Sequence, residues 1–198
     1  MTHPTLNVLG IAGSLRSGSY NRALIEAAQQ AAPEGIEITI FDLDAVPMYD
    51  PDIDNDDDRP AAARALKAAI AEADALLIAT PEYNHGIPGV LKNAIDWASR
   101  PAGRSPLAGK PTAIMSVVTG MWGGIRVQSA LRQVLHGTST PVVARPEVLV
   151  SGARQKFDDE GRLTDEATRG FVVDLLGNLR ALAEQQRREH PAVQSPKS

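Results

Sequence analysis

The chemistry-bearing residues of this chain begin in a short loop, the first loop, at residues 13–21. It carries three serines, two glycines, an arginine and an asparagine, and no carboxylate. Arg16 offers a charged fork that suits phosphate oxygens, and Gly13 and Gly18 allow close backbone approach. The loop leads into a predicted helix, whose first amides attract anions. It therefore predicts a phosphate site; the alternative is a serine-capped helix with a solvated Arg16.

The pattern of the first loop narrows the phosphate ligand to a mononucleotide. No Gly-Lys-Ser/Thr follows, which excludes a P-loop, and Gly10, Gly13 and Gly18 miss the spacing of the dinucleotide fingerprint. Several hydroxyls around one terminal phosphate suit a mononucleotide better than a pyrophosphate.

Two later loops offer partners for a flat ring. The second loop, residues 80–89, has two prolines that stiffen it, and the third loop, residues 118–124, has three glycines. A flavin ring needs backbone donors and acceptors at its edge and apolar contact on its faces. Tyr83, Met121 and Trp122 can supply that contact, although Tyr83 and Trp122 also suit plain packing roles. Glu82 also suits a helix-entry position and His85 a surface or helix-entry position. Hydride transfer through a flavin needs no protein nucleophile, so no acid or base is assigned.

An acidic run imitates a calcium loop without completing it. Its aspartates alternate, but Asn55 replaces the required glycine and Ala61 the bidentate glutamate. We interpret the run as a solvated loop and predict no metal site. The aspartates are Asp50, Asp52, Asp54, Asp56 and Asp58.

Composition restricts the class of protein. The chain has 198 residues and a net charge of −4, which argues against a nucleic-acid partner. It has no cysteine, so disulfide and thiolate chemistry are excluded and any redox work requires a bound cofactor. The apolar run 6–12 is far shorter than the roughly 20 residues of a membrane helix. We expect a soluble cytoplasmic protein with no membrane partner.

Short apolar runs alternate with helical stretches along the chain. This alternation predicts an α/β fold with a doubly wound, five-stranded parallel sheet and helices on both faces. The three loops follow strands one, three and four, so they share the sheet edge where ligands bind. We expect one domain, residues 1–189, and a disordered tail, residues 190–198. The predicted strands are 6–12, 36–41, 74–80, 111–118 and 141–150, and the predicted helices are 21–32, 61–73, 88–99, 124–136 and 164–188.

Three motifs resemble one known family. They are Gly13-Ser14-Leu15-Arg16 with Ser19-Tyr20-Asn21-Arg22, the stretch from Pro81-Glu82-Tyr83-Asn84 through Trp97, and Gly120 with Gly123-Gly124 and Arg126. Together they resemble the NADPH-dependent FMN reductases, flavodoxin-like proteins that include bacterial quinone, chromate and azo-dye reductases. The likeness extends over about residues 6–182 and implies the strand order 2-1-3-4-5.

The resemblance also implies a site and an activity. NADPH or NADH reduces FMN, which then reduces a small-molecule acceptor: a quinone, free flavin, azo dye or metal oxyanion. It implies a homodimer or homotetramer. A non-enzymatic electron carrier of flavodoxin type is the alternative, and a binding module without FMN is a third. The implied phosphate contacts are Ser14, Arg16, Ser19, Tyr20 and Asn21; the implied ring contacts are Pro81, Glu82, Tyr83, Asn84, Thr119, Gly120, Gly123 and Gly124.

Overall fold

The sheet has five parallel strands in the order β2-β1-β3-β4-β5. A computed structural model describes residues 4–189, and the predicted tail 190–198 lies outside them. The fold class and strand order predicted from the sequence are confirmed. The strands are β1 (Leu6–Ala12), β2 (Ile36–Phe41), β3 (Ala75–Thr80), β4 (Thr112–Val117) and β5 (Val148–Val150).

Helices cover both faces of the sheet. One apolar cluster joins the sheet to α1 and α5, and a second joins its other face to α2, α3 and α4. This arrangement follows from the parallel strands, because each crossover needs a helix-length connection. The helices are α1 (Tyr20–Ala31), α2 (Ala61–Glu72), α3 (Gly89–Ala98), α4 (Ile125–Gly137) and α5 (Glu166–Glu189).

The burial of the central strand β3 on both faces explains its continuous apolar run. All six of its residues are buried. Alternate side chains serve opposite faces: Leu77 packs in the cluster with α1 and α5, whereas Leu76 and Ile78 pack in the other cluster. A strand buried on both faces has no polar side, so the sequence shows no alternation.

The fifth strand is shorter than predicted. The expectation of a strand over residues 141–150 is wrong for most of that range, because only Val148–Val150 form β5. Val142 makes an isolated bridge with Thr112. Pro146 lies between the two pieces; it has no N–H to donate and it restricts the residue before it, so the ladder is interrupted there.

The acidic run is stabilised by an ion pair to Arg59 and by hydrogen bonds to the side chain of Asn55. Asp54 pairs with Arg59 at 2.6 Å, and both side chains are largely buried. The Asn55 side chain accepts hydrogen bonds from the N–H groups of Asp57 and Asp58. Within residues 4–189, no group of three or more His, Asp or Glu side chains is arranged to hold a metal ion. No helix in this range is long and apolar enough to cross a membrane.

Helix α5 begins two residues later than predicted because Asp165 caps it. Its carboxylate accepts from Thr168 N at 2.9 Å and from Lys156 Nζ at 2.8 Å. The hydrogen bond from Lys156, with that from Thr168, lowers the pKa of Asp165 from 3.8 to about 2. A carboxylate with a lowered pKa stabilises the fold above its unfolded pKa and loses this effect as pH falls towards its folded pKa.

We predict that Asp165→Ala lowers the free energy of unfolding at pH 7 by about 1 kcal/mol, the usual effect of a lost cap. The difference from wild type should shrink between pH 4 and pH 2. Urea unfolding at pH 7 and pH 3 measures it. Asp174→Ala, at an exposed position of α5, is the control and should stay within about 0.5 kcal/mol of wild type. A difference that is as large at pH 3 as at pH 7 would contradict the assignment.

Candidate functional site

The three predicted loops meet at the carboxyl edge, the sheet edge at which β1, β3 and β4 end. Side chains join the first two loops to each other and to the strand and helix that flank the third loop. Ser14 Oγ of the first loop lies 3.5 Å from Tyr83 Oη of the second. Asn21 bonds to the end of β4, and Glu82 bonds to the start of α4. The convergence predicted from the topology is therefore present.

The first loop presents an open helix N-terminus. Ser19 N donates to Arg16 O at 3.0 Å, closing a turn, and Ser19 Oγ caps α1 by accepting from Arg22 N. The N–H groups of Tyr20 and Asn21 belong to the first turn, so they have no partner within the helix. The first turn carries no acidic residue.

Arg16 lies over this N-terminus. Its guanidinium carbon is 5.7 Å from the centre of the Tyr20 ring. A Cβ on Gly18 would come within 3.0 Å of its Nη1. Arg16 makes no ion pair with any residue between 4 and 189. The cation is therefore available to an anion placed at the start of α1.

The Asn21 side chain joins the first loop to the sheet. Its buried side chain donates from Nδ2 to Val117 O at 3.0 Å and accepts at Oδ1 from Val117 N at 2.9 Å. The amide thus joins the start of α1 to the last residue of β4. What Asn21 offers to a phosphate is its backbone N–H, with the side chain as a brace.

Glu82 caps a helix that follows a different strand from its own. Its Oε2 accepts from Arg126 N at 3.1 Å and from Val127 N at 3.2 Å, and its Oε1 lies 3.5 Å from Arg126 Nη1. Gly124, which precedes α4, has no side chain to cap the helix. Glu82 takes that role and fills the N-terminus of α4 with a negative charge.

The second loop contains a tight turn at residues 83–86. Tyr83 N donates to Gly86 O at 3.2 Å and Gly86 N to Tyr83 O at 2.9 Å. The two central residues, Asn84 and His85, have φ values of 49° and 64°, a pairing typical of a type I′ turn. Pro81 leads into this loop, where it accepts at its carbonyl from Thr80 Oγ1. Half of the Tyr83 side chain is exposed at the carboxyl edge.

The third loop rests on two polar residues that the sequence prediction missed. Ser116 Oγ donates to Gly123 O at 2.5 Å, and Gln128 Nε2 donates to Ser116 Oγ at 2.9 Å. A serine inside an otherwise apolar strand was the available signal, together with a glutamine on the buried face of α4. Thr119, Gly120, Met121 and Trp122 form the exposed part of the loop, with Gly120 O accepting from Gly152 N.

These contacts fit a flavin mononucleotide whose phosphate end lies at the first loop and whose ring lies at the other two loops. Helices α1, α3 and α4 follow the three loops, and Glu82 already fills the N-terminus of α4. At the N-terminus of α1 the first amides lie beside Arg16, which makes no ion pair among residues 4–189, so a terminal phosphate fits there. The other two loops then face the rest of the ligand with backbone groups and the side chains of Tyr83 and Trp122. Fold and site together define a flavodoxin-like, flavin-dependent oxidoreductase.

Comparisons with known proteins agree with this class. The family model for NADPH-dependent FMN reductase matches residues 6–155. The chain belongs to the NADPH-dependent FMN reductase family, whose cofactor is FMN and whose electron donor is NAD(P)H. The likeness predicted from the three motifs is confirmed.

Individual relatives cover nearly the whole chain. It is 45% identical over 174 residues to an NAD(P)H-dependent FMN reductase of Pseudomonas aeruginosa, covering 88% of this chain and 93% of that protein. It is 38% identical over 182 residues to a 2-hydroxy-1,4-benzoquinone reductase of a Burkholderia species, covering 92% and 98%. The structure is similar to FerB, a flavoenzyme NAD(P)H:(acceptor) oxidoreductase of Paracoccus denitrificans, with a TM-score of 0.80, 32% identity, and coverage of 93% and 98%.

Proposed function

We propose that the three loops hold FMN and that this chain transfers electrons from NAD(P)H to a quinone. The observation that carries the placement is the N-terminus of α1 beside Arg16, which has no ion-pair partner in the described range 4–189, in contrast to the α4 N-terminus that Glu82 fills. When bound, FMN supplies the hydride chemistry. A single domain over residues 1–189 is part of the proposal.

The residues of the chain bind and orient the cofactor. Arg16 and the hydroxyls of Ser14 and Ser19 donate to the phosphate, together with the first amides of α1. The Tyr20 ring, whose centre lies 5.7 Å from the guanidinium carbon of Arg16, supports this side chain by a cation–π contact. The backbone of the second and third loops orients the ring, and no side chain is needed as a nucleophile because the flavin carries the electrons. The ring-contact residues are Pro81, Glu82, Tyr83, Asn84, Thr119, Gly120, Gly123 and Gly124.

A quinone is the acceptor that the relatives favour. One relative is named a 2-hydroxy-1,4-benzoquinone reductase, and others are named quinone reductases. An open, apolar rim at the ring loops suits a flat uncharged molecule. We place the enzyme in the cytoplasm, because it needs NAD(P)H in its own compartment.

We also propose that two copies of the chain form the working unit, either as a homodimer or as a homotetramer of paired dimers. Large apolar side chains are exposed around the carboxyl edge, Met121 by 76% and Trp122 by 61%. Apolar patches of this kind mark interaction surfaces, and a second copy would shield the ring from water. The other exposed members are Leu15, Tyr83 and Ile125.

A spectrum and an activity assay test the function. The protein is mixed with FMN, passed through gel filtration and examined for flavin absorbance; NADPH or NADH oxidation is then followed with 1,4-benzoquinone. We expect the protein to retain flavin and to oxidise NAD(P)H steadily without a protein partner. A flavodoxin-type electron carrier would retain flavin but would not show this turnover. Absence of both flavin absorbance and NAD(P)H oxidation would contradict the proposal.

Light scattering tests the assembly. Wild type should have at least twice the 21.1 kDa mass of one chain, and Trp122→Glu should shift it towards the monomer because it places a charge in the apolar patch. Asp174→Ala, on α5, is the matched surface control and should keep the wild-type mass. A monomeric wild type would contradict the assembly but not the FMN site.

A further inference from the structure

A buried polar pair lies beneath the third loop. Ser116 in β4 is fully buried and Gln128 in α4 is 2% exposed. Ser116 Oγ donates its one hydrogen to Gly123 O at 2.5 Å, so it must accept from Gln128 Nε2, at 2.9 Å. The second Nε2 hydrogen goes to Val148 O, also at 2.9 Å. The direction of every bond in this chain of contacts is therefore fixed.

Stability alone does not account for Gln128. Its Oε1 is buried and has no hydrogen-bond partner among residues 4–189. Turning the amide over would not help, because Oε1 would then face the carbonyl oxygen of Val148 and two acceptors would meet. Buried polar atoms without partners are rare and unfavourable, so Gln128 carries a cost beside the two hydrogen bonds that its Nε2 donates. We therefore look for the role of Ser116 and Gln128 in the group that they bind.

It holds one peptide group of the third loop. Gly123 and Gly124 have φ values of 61° and 84°, and a Cβ on either would lie within 3.0 Å of neighbouring atoms. Two successive glycines leave the peptide between them free to rotate. Ser116 selects one orientation by binding the Gly123 carbonyl. In a trans peptide the N–H points opposite to the carbonyl, so Gly124 N–H points away from Ser116.

The Gly124 N–H is the other polar group of this peptide. It donates to no backbone carbonyl or side chain within residues 4–189. We propose that Ser116 and Gln128 are positioning residues that turn the Gly123–Gly124 peptide so that Gly124 N–H donates to the flavin. This inference rests on the proposed FMN site. A fixed donor strengthens when the flavin gains negative charge on reduction, because hydrogen bonds to charged groups are stronger. The pair therefore favours the reduced cofactor.

The test compares three variants reconstituted with FMN. Ser116→Ala and Gln128→Leu should each weaken FMN binding about tenfold and lower the two-electron potential, by about 30 mV if affinity for the reduced form falls a further tenfold. Thr112→Val is the matched control: it removes a buried hydroxyl bonded to a backbone carbonyl at the other end of β4. It should lower Tm comparably and leave FMN affinity and potential at wild-type values.

The outcomes separate positioning from packing and from failure of the FMN site. If both variants lower Tm but keep the wild-type FMN affinity and potential, the pair is structural and the proposal is wrong. If Ser116→Ala does not fold, Gln128→Leu decides alone, because it does not touch the loop directly. If wild type itself retains no FMN, the proposed function fails before this inference is reached.

Discussion

Replacing Asn21 by leucine is expected to destabilise the fold and abolish tight FMN binding together. The substitution leaves both backbone groups of Val117 without their buried partners. Each unsatisfied group costs about 1–3 kcal/mol, so the free energy of unfolding should fall by about 2–6 kcal/mol. The start of α1 also loses its tie to β4, and the first and third loops separate. Urea unfolding and FMN titration measure the two effects.

Asn93 provides the matched control for Asn21. It is also a buried asparagine in a helix, and it also binds backbone at both ends of its amide, donating to Pro47 O and accepting from Tyr49 N. Asn93→Leu should lower stability to a similar extent while FMN affinity falls less than threefold. If both variants lose FMN equally, destabilisation explains the loss, and Asn21 has no particular role in joining the loops.

Replacing Arg16 by alanine is expected to remove most of the preference for FMN over riboflavin, which lacks the phosphate. A hydrogen bond to a charged group contributes about 1.5–3 kcal/mol, so FMN affinity should fall about 10- to 150-fold. Riboflavin affinity should change little, because the ring contacts lie in the other two loops. Fluorescence titration of both flavins measures the ratio.

Arg22→Ala is the control for the loss of positive charge. Arg22 lies in the first turn of α1, close to Arg16 in sequence, but its guanidinium binds Asp42 and Glu26. Its removal should leave the ratio of FMN to riboflavin affinity unchanged. If Arg16→Ala weakens both flavins to the same extent, the phosphate does not lie at the start of α1, and the placement proposed for the flavin must be reversed.

The fold was predictable because its signals are local and repeated. Apolar runs such as β3 are buried on both faces, and the three loops follow strands that must end at one edge. The error at β5 has a local cause, since Pro146 interrupts a stretch whose apolar residues otherwise suit a strand. The pattern of apolar residues does not show that a proline lacks the N–H that a strand must donate.

The site was less predictable because side chains in it bind across long distances in sequence. The residue types in the first loop indicated a phosphate, but not that the Asn21 amide binds Val117. Glu82 is close in sequence to α3 yet caps α4. Only the packing of α4 against β4 brings Gln128 to Ser116. The sequence indicated which loops form the site, whereas the side-chain contacts between those loops are visible only in the folded structure.

The tie between Asn21 and Val117 also has a consequence for synthesis of the protein. The two residues are 96 positions apart, and chains are made from the N-terminus at about 5–20 residues per second. A nascent chain has therefore completed α1 well before β4 exists to brace it. FMN should bind only after β4 has left the ribosome and joined the sheet, so the cofactor is acquired late, by a nearly finished domain.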